Sequence, residues 1–230
     1  MLNRKRQQKD VLVIFDSDGV LIDSEAITSR VELQALRSRG CRISMEDYLE
    51  RALGLSEEDL IWNTIAAEWD VVLPANFGDR LRTRVSEALV AELRPIDGVH
   101  EVLSVLPYEK CLASGASPER LEFTLSVTSL SEIFAGKCFS GAMVNQGKPA
   151  PDVFLFAAEK MGFDPRDCLV VEDSVNGVKA AVIAGMTVLG FTGASHCLVG
   201  LEEKLMGLGC REIFSDMEDL PSLIEAIITA

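Results

Sequence analysis

Val11-Leu12-Val13-Ile14-Phe15-Asp16-Ser17-Asp18-Gly19 decides the reading of this chain: five apolar residues in a row, two acids with one residue between them, then a glycine. An unbroken apolar run of that length reads as a strand buried on both faces, which belongs in a parallel sheet. Similar runs follow at Lys110-Cys111-Leu112-Ala113, Cys168-Leu169-Val170-Val171, Thr187-Val188-Leu189-Gly190-Phe191 and Glu212-Ile213-Phe214. Helical patterns lie between them at Pro118 to Leu125, Asp152 to Met161 closed by Gly162, and Val175 to Ala184 closed by Gly185. Strand and helix in alternation predict βα units and an α/β fold with a mostly parallel sheet.

The segment from about Glu25 to Ala91 breaks this rhythm. It has no strand pattern, and Ala26 to Arg39, Met45 to Leu53, Glu57 to Glu68 and Phe77 to Leu93 repeat apolar residues at three- and four-residue spacing. The spacing predicts an all-helical insertion over residues 25–91, with residues 1–24 and 92–230 forming the core. The chain returns to that core through Arg94-Pro95-Ile96-Asp97-Gly98, a turn-rich stretch suited to a hinge.

Composition agrees with one core plus a modest insertion: 230 residues, 48% apolar and 25% charged. Thirty-six acidic against 22 basic residues give a net charge of −14, which works against nucleic acid and anionic membranes as partners. A small anionic substrate would need local positive charge against that field. Cys41, Cys111, Cys138, Cys168, Cys197 and Cys210 are widely spaced, form no C-x-x-C pair and read as reduced, buried thiols. The basic start, Met1 to Asp10, precedes an apolar run too short for a secretory segment. The uncharged stretch Ala180 to Leu201 is broken by Gly185, Gly190, Gly193 and Gly200 into helix end, strand and loop, and so does not read as a membrane span. A cytoplasmic protein, with a monomer favoured, is the expectation.

In an open parallel sheet, ligands bind beyond the carboxyl ends of the strands. Those ends carry Asp16 and Asp18 after the first run, Ser114 and Gly115 after the second, and Glu172 and Asp173 after the third. Lys148 stands in Gly147-Lys148-Pro149-Ala150-Pro151-Asp152, just before a helix. Four carboxylates in one small volume repel, by roughly 4 kcal/mol per pair at about 4 Å and an effective dielectric near 20. Such a cluster calls for a cation, and all-oxygen donors suit Mg²⁺. Asp16, ionised at neutral pH, can act as a nucleophile, and Asp18, on the same side of an extended chain, can pass a proton. Ser114, the Gly115 amide and Lys148 can hold the oxygens of a transferring phosphoryl group. Each pattern is common by itself; their order along successive strand ends is what makes one site.

With these residues in place, the chain resembles the haloacid dehalogenase-like hydrolase superfamily, in its phosphatase and beta-phosphoglucomutase-like branch, over about residues 10 to 220. Val11 to Glu25, Leu112 to Gly115, Lys148 to Asp152 and Val170 to Ser174 match its four motifs in order. The resemblance implies a Rossmann-like, doubly wound core whose helical cap, residues 25–91, closes over the site. It implies that Asp16 is the aspartyl-phosphate nucleophile and a Mg²⁺ ligand. Asp18 would be the general acid/base and also a ligand through its main-chain carbonyl, with Asp173 a direct ligand and Glu172 a direct or water-mediated one. Ser114 and Lys148 would hold phosphate.

Departures narrow the activity. Dehalogenases of this fold lack the second aspartate of the first motif, so Asp18 favours phosphoryl chemistry. Phosphonoacetaldehyde hydrolases need a cap lysine, and no lysine occurs from Glu25 to Pro95. Beta-phosphoglucomutases carry a cap histidine and a cap arginine where this chain has Thr28 and Glu57, leaving Arg51 as a partial substitute. The expectation is a Mg²⁺-dependent phosphatase of a small phosphorylated metabolite, a sugar or polyol phosphate, with a sugar phosphomutase as the alternative. A binding-only protein of this fold would lack a motif residue, and none is missing. Trp62 is expected in the cap core, whereas Glu57 would favour hydroxyls if it faced substrate.

Overall fold

A computed structural model describes residues 11–52 and 58–229. The basic start and residues 53–57, among them Glu57, lie outside the described residues. In chain order the core contributes β1 (Leu12–Phe15), and then the helical segment follows as α1 (Glu25–Arg37), α2 (Met45–Ala52), α3 (Glu58–Glu68) and α4 (Phe77–Glu92). The core resumes with α5 (Val99–Val105), β2 (Glu109–Ser114), α6 (Pro118–Val127), β3 (Cys138–Ser140), α7 (Asp152–Met161) and β4 (Cys168–Glu172). It ends with α8 (Val175–Ile183), β5 (Thr187–Phe191), α9 (Leu201–Gly207), β6 (Glu212–Phe214) and α10 (Leu220–Thr229).

The described strands form one parallel sheet in the order β3-β2-β1-β4-β5-β6. The chain winds outward from β1 to one edge, crosses back, and winds to the other, so the strand order reverses at β1. That doubly wound order leaves a crevice beyond the carboxyl ends of β1 and β4. The sequence reading missed β3, because Cys138-Phe139-Ser140 is too short to give a periodic signal, and this edge strand needs its neighbour to be recognised.

Burial follows the strand period of two. Val13 and Phe15 enter the apolar cluster on one face of the sheet, where α5, α6 and α10 pack, while Leu12 and Ile14 enter the other with α7 and α8. β4 divides in the same way, with Leu169 and Val171 on the first face and Cys168 and Val170 on the second. The uncharged stretch at 180–201 becomes the end of α8, β5 and a loop, and no helix among the described residues is long and apolar enough to cross a membrane. All six cysteines are free thiols, and burial pushes Cys138 up to about 11 and Cys210 to about 12.

The buried side chains of α1 to α4 join the apolar cluster on the first face of the sheet. Trp62 is buried, donates through Nε1 to the Tyr48 hydroxyl at 3.3 Å and meets Phe77 edge-on, while Tyr48 donates to the buried Glu32. The two connections to this segment run side by side: Asp23 N–H donates to Arg94 carbonyl at 3.1 Å, and Ile96 N–H to Leu21 carbonyl at 3.0 Å.

Candidate active site

The strand register brings the expected residues together. Phe15 is level with Leu112 of β2 and Val171 of β4, so Asp16 emerges beside Ala113 and Glu172. The Asp16 amide still donates to Val171 carbonyl at 3.0 Å, which fixes the point at which its side chain leaves the sheet. Ser17 carbonyl then accepts from the amides of Leu21 and Ile22, and Gly19 turns the chain at φ +82°, a conformation open to glycine at little cost. A Cβ on Gly19 would also collide with the carboxylate of Asp173 and the ring of His196.

Lys148 reaches this volume from the loop before α7. Its ammonium donates to Asp16 Oδ1 at 2.6 Å, Glu172 Oε1 at 2.7 Å and the Ala113 carbonyl at 3.2 Å, using all three N–H bonds, and lies 4.7 Å from the Phe154 ring centre. The Lys148 side chain is only 8% exposed. The second oxygen of Glu172 accepts from the Ser174 amide at 2.7 Å, at the positive end of α8. Ser174, not either acid, caps that helix by accepting from the Gly177 amide at 3.0 Å. Gly177 carries no side chain because the Glu172 carboxylate occupies the place of a Cβ.

The electrostatics are those of crowded acids sharing too little positive charge. Burial pushes the Asp16 carboxyl well above its ordinary range; Lys148 opposes this, but Glu172 and Asp173 add to it. Burial also raises Asp173, against the bond from His196. Asp18 is held elsewhere: it accepts from the Ser24 hydroxyl and from Arg120 Nη2 at 3.3 Å, while Glu25 next to it is pushed up to about 7 by burial and by the Asp18 charge. Ser114 is buried and its hydroxyl accepts from the Ala116 amide at 3.1 Å, whereas Gly115 is exposed with open space around it.

Asp16, Glu172 and Lys148 therefore meet directly, Asp173 lies against the Gly19 turn, and Asp18 faces Ser24 and Arg120. Among the described residues, no group of three or more His, Cys, Asp or Glu side chains is arranged to hold a metal ion. Lys148 stands between two of the four acids and the other two are turned to Arg120 and His196. The donor chemistry nevertheless fits a hard cation: the groups are oxygens, and Asp16, Glu172 and Asp173 lie close enough for the latter two to raise the first.

Three charged or titratable neighbours of these groups were given no role by the sequence reading. Arg120 lies in the first turn of α6, just past the Ser114-Gly115 stretch; Glu25, the last residue of the first motif stretch, begins α1; His196 lies in the loop five residues beyond the end of β5. His196 donates from Nε2 to Asp173 Oδ2 at 3.1 Å, and its loop is tied to the first connection of the helical segment by Ser195, whose amide and hydroxyl donate to Asp23 Oδ1 at 3.2 and 2.9 Å.

The sequence model of the haloacid dehalogenase-like hydrolases matches residues 11–185. The chain is 27% identical over 215 residues to the 6-phosphogluconate phosphatase of Escherichia coli (strain K12), covering 93% of this chain and 94% of that one. It is 35% identical over 178 residues to hexitol phosphatase B of the same organism, covering 75% and 79% respectively. A crystal structure of a conserved haloacid dehalogenase-like protein of unknown function from Agrobacterium tumefaciens str. C58 superposes with a TM-score of 0.85 at 37% identity, covering 95% of this chain and 99% of that one.

Proposed function

We propose, on the premise that this chain belongs to the haloacid dehalogenase-like hydrolases, that it is a phosphoric monoester hydrolase acting on a sugar or polyol monophosphate through an aspartyl phosphate on Asp16. The observation that carries this reading is the buried Asp16 carboxylate at the reversal point of the sheet, 2.6 Å from a single ammonium and flanked by Glu172 of the next strand. A carboxylate needs no base to become a nucleophile, and this one is too short of positive charge to rest easily without a partner.

In the first step an Asp16 oxygen bonds to phosphorus as the ester P–O bond breaks, and Asp18 gives its proton to the departing alcohol oxygen. In the second, Asp18 takes a proton from water, whose oxygen bonds to phosphorus as the bond to Asp16 breaks, releasing phosphate. Lys148, the Ser114 hydroxyl and the Gly115 amide hold the remaining phosphoryl oxygens while charge shifts among them. Asp16, Glu172, Asp173 and the main-chain carbonyl of Asp18 would hold Mg²⁺, which when bound offsets the carboxylate and phosphate charge. Residues 25–91 act as a cap whose closure excludes bulk water, with its hinge at the paired stretches around Asp23 and Arg94.

The substrate class rests on the 6-phosphogluconate and hexitol phosphatases that the chain is similar to. Two observations favour hydrolysis over sugar phosphomutase activity. Arg51 is paired with Glu68 at 2.7 Å on an exposed face rather than left to grip a second phosphate, and Thr28 is a buried side chain where the mutases carry histidine. The test is a phosphate-release screen across sugar, polyol and nucleotide monophosphates with and without Mg²⁺. Release that requires Mg²⁺, stops with a chelator and is lost in Asp16→Asn supports the reading. Activity that survives both, or an isomer formed without net phosphate, overturns it.

A further inference from the structure

We infer that His196 is a positioning residue that fixes the carboxylate of Asp173 for a divalent cation. The inference rests on the proposed metal reading and goes beyond it, because His196 lies outside all four motif stretches. Its Nε2 is 3.1 Å from Asp173 Oδ2, and the two side chains are 3% and 4% exposed. Nδ1 is buried without a hydrogen-bond partner, and Nε2 is the ring nitrogen that faces the carboxylate. The bond engages one of the two carboxylate oxygens, Oδ2.

Two further contacts make this a built arrangement. The ring and the Asp173 carboxylate both occupy the space beside the Gly19 Cα, so the imidazole is wedged behind the acid by the turn that follows Asp16 and Asp18. The loop that carries it is fastened by Ser195 to Asp23, at 2.9 Å from the hydroxyl. His196 is the side-chain donor that the structure gives this buried carboxylate. A second residue that orients a ligating carboxylate is worth about 10–100-fold in metal affinity.

The experiment is direct binding of Mn²⁺, followed by its paramagnetic resonance signal, to the wild-type chain and to His196→Gln, His196→Asn and His196→Leu, with thermal melting of each in chelator. A Gln amide reaches the place of Nε2, whereas Asn is too short and Leu has no donor. Expected is Mn²⁺ affinity within about threefold of wild type for Gln and about 10–100-fold weaker for Asn and Leu, with the metal-free melting temperatures of Gln and Asn alike. Wild-type affinity in the Asn variant overturns the positioning role alone. A wild-type chain that takes up no Mn²⁺ overturns the metal reading, and the positioning role with it. If Leu fails to fold, the Gln and Asn pair still decides.

Discussion

Lys148 donates to Asp16 across 2.6 Å between two side chains that are 8% and 10% exposed, joining residues 132 positions apart. The two partners are not equivalent. Lys148 satisfies two carboxylates and a carbonyl at once, whereas the Asp16 carboxyl is pushed upward by burial and by the acids around it in spite of that bond. Ionised Asp16 is thus a burden on the folded state, and Lys148 is what makes it bearable.

Substituting either partner should therefore change stability in opposite directions. Asp16→Asn removes a disfavoured charge and is expected to raise the urea midpoint of the metal-free protein at neutral pH, while turnover falls on the order of 10⁴-fold or more. Lys148→Met strands two buried carboxylates and is expected to cost about 3–5 kcal/mol. Equilibrium denaturation of both variants checks this; a loss of stability in Asp16→Asn equal to that in Lys148→Met would contradict the account.

Gly177→Ala places a methyl group where the Glu172 carboxylate lies, so Glu172 must abandon Lys148 or the Ser174 amide. The expected cost is about 1–3 kcal/mol, with kcat/KM at least tenfold lower. Gly207→Ala, in open space at the end of α9, serves as the control and should lower neither. Denaturation and steady-state kinetics on the pair make the comparison.

Arg120 contacts Asp18 at 3.3 Å and is the cation nearest that side chain in the described contacts. Replacing it by Gln keeps a donor but loses the charge, and a charge-assisted bond is worth about 1.5 kcal/mol, or roughly tenfold in rate. The expected loss falls in kcat rather than KM, since Asp18 is proposed to transfer the proton. A change confined to KM would instead assign Arg120 to substrate binding.

The pH dependence of stability follows from Glu25. Burial and the neighbouring Asp18 charge raise its carboxyl from an ordinary value near 4.5 to about 7, against Arg120 and His196. Between those values the folded protein holds a proton that the unfolded chain has released, so stability falls as pH rises through the window. Asp16 and Asp173 are shifted upward too and act with the same sign. His196 also rises: burial lowers it, but the bond to Asp173 and nearby acids outweigh that, and a base raised on folding likewise loses stability with rising pH. The midpoint of thermal melting, measured in chelator from pH 5 to 8, should decline, and Glu25→Gln should shrink the slope.

Much of this was legible along the chain, for definable reasons. Strands buried on both faces write themselves as unbroken apolar runs, and β1, β2, β4, β5 and β6 fell where those runs stood. The helices between β1 and α5 were equally readable, because buried residues recur at helical spacing, as Phe77, Leu81, Val85 and Leu89 do along one face of α4. β3 was not, since three residues carry no period and its identity comes from pairing with β2.

The site divides along the same line. Sequence order by itself determined that Asp16, Asp18, Ser114, Glu172 and Asp173 stand at or beside strand ends and that Lys148 precedes a helix, because the ends of strands and helices are local properties. Which of them touch was decided only by the fold. The reversal of strand order at β1 set Glu172 beside Asp16, the loop before α7 drove the Lys148 ammonium between them, and a loop after β5 brought His196 to Asp173. Hydrogen bonds form over about 3 Å whatever the separation in sequence, so contacts between residues 132 apart leave no mark in a local pattern.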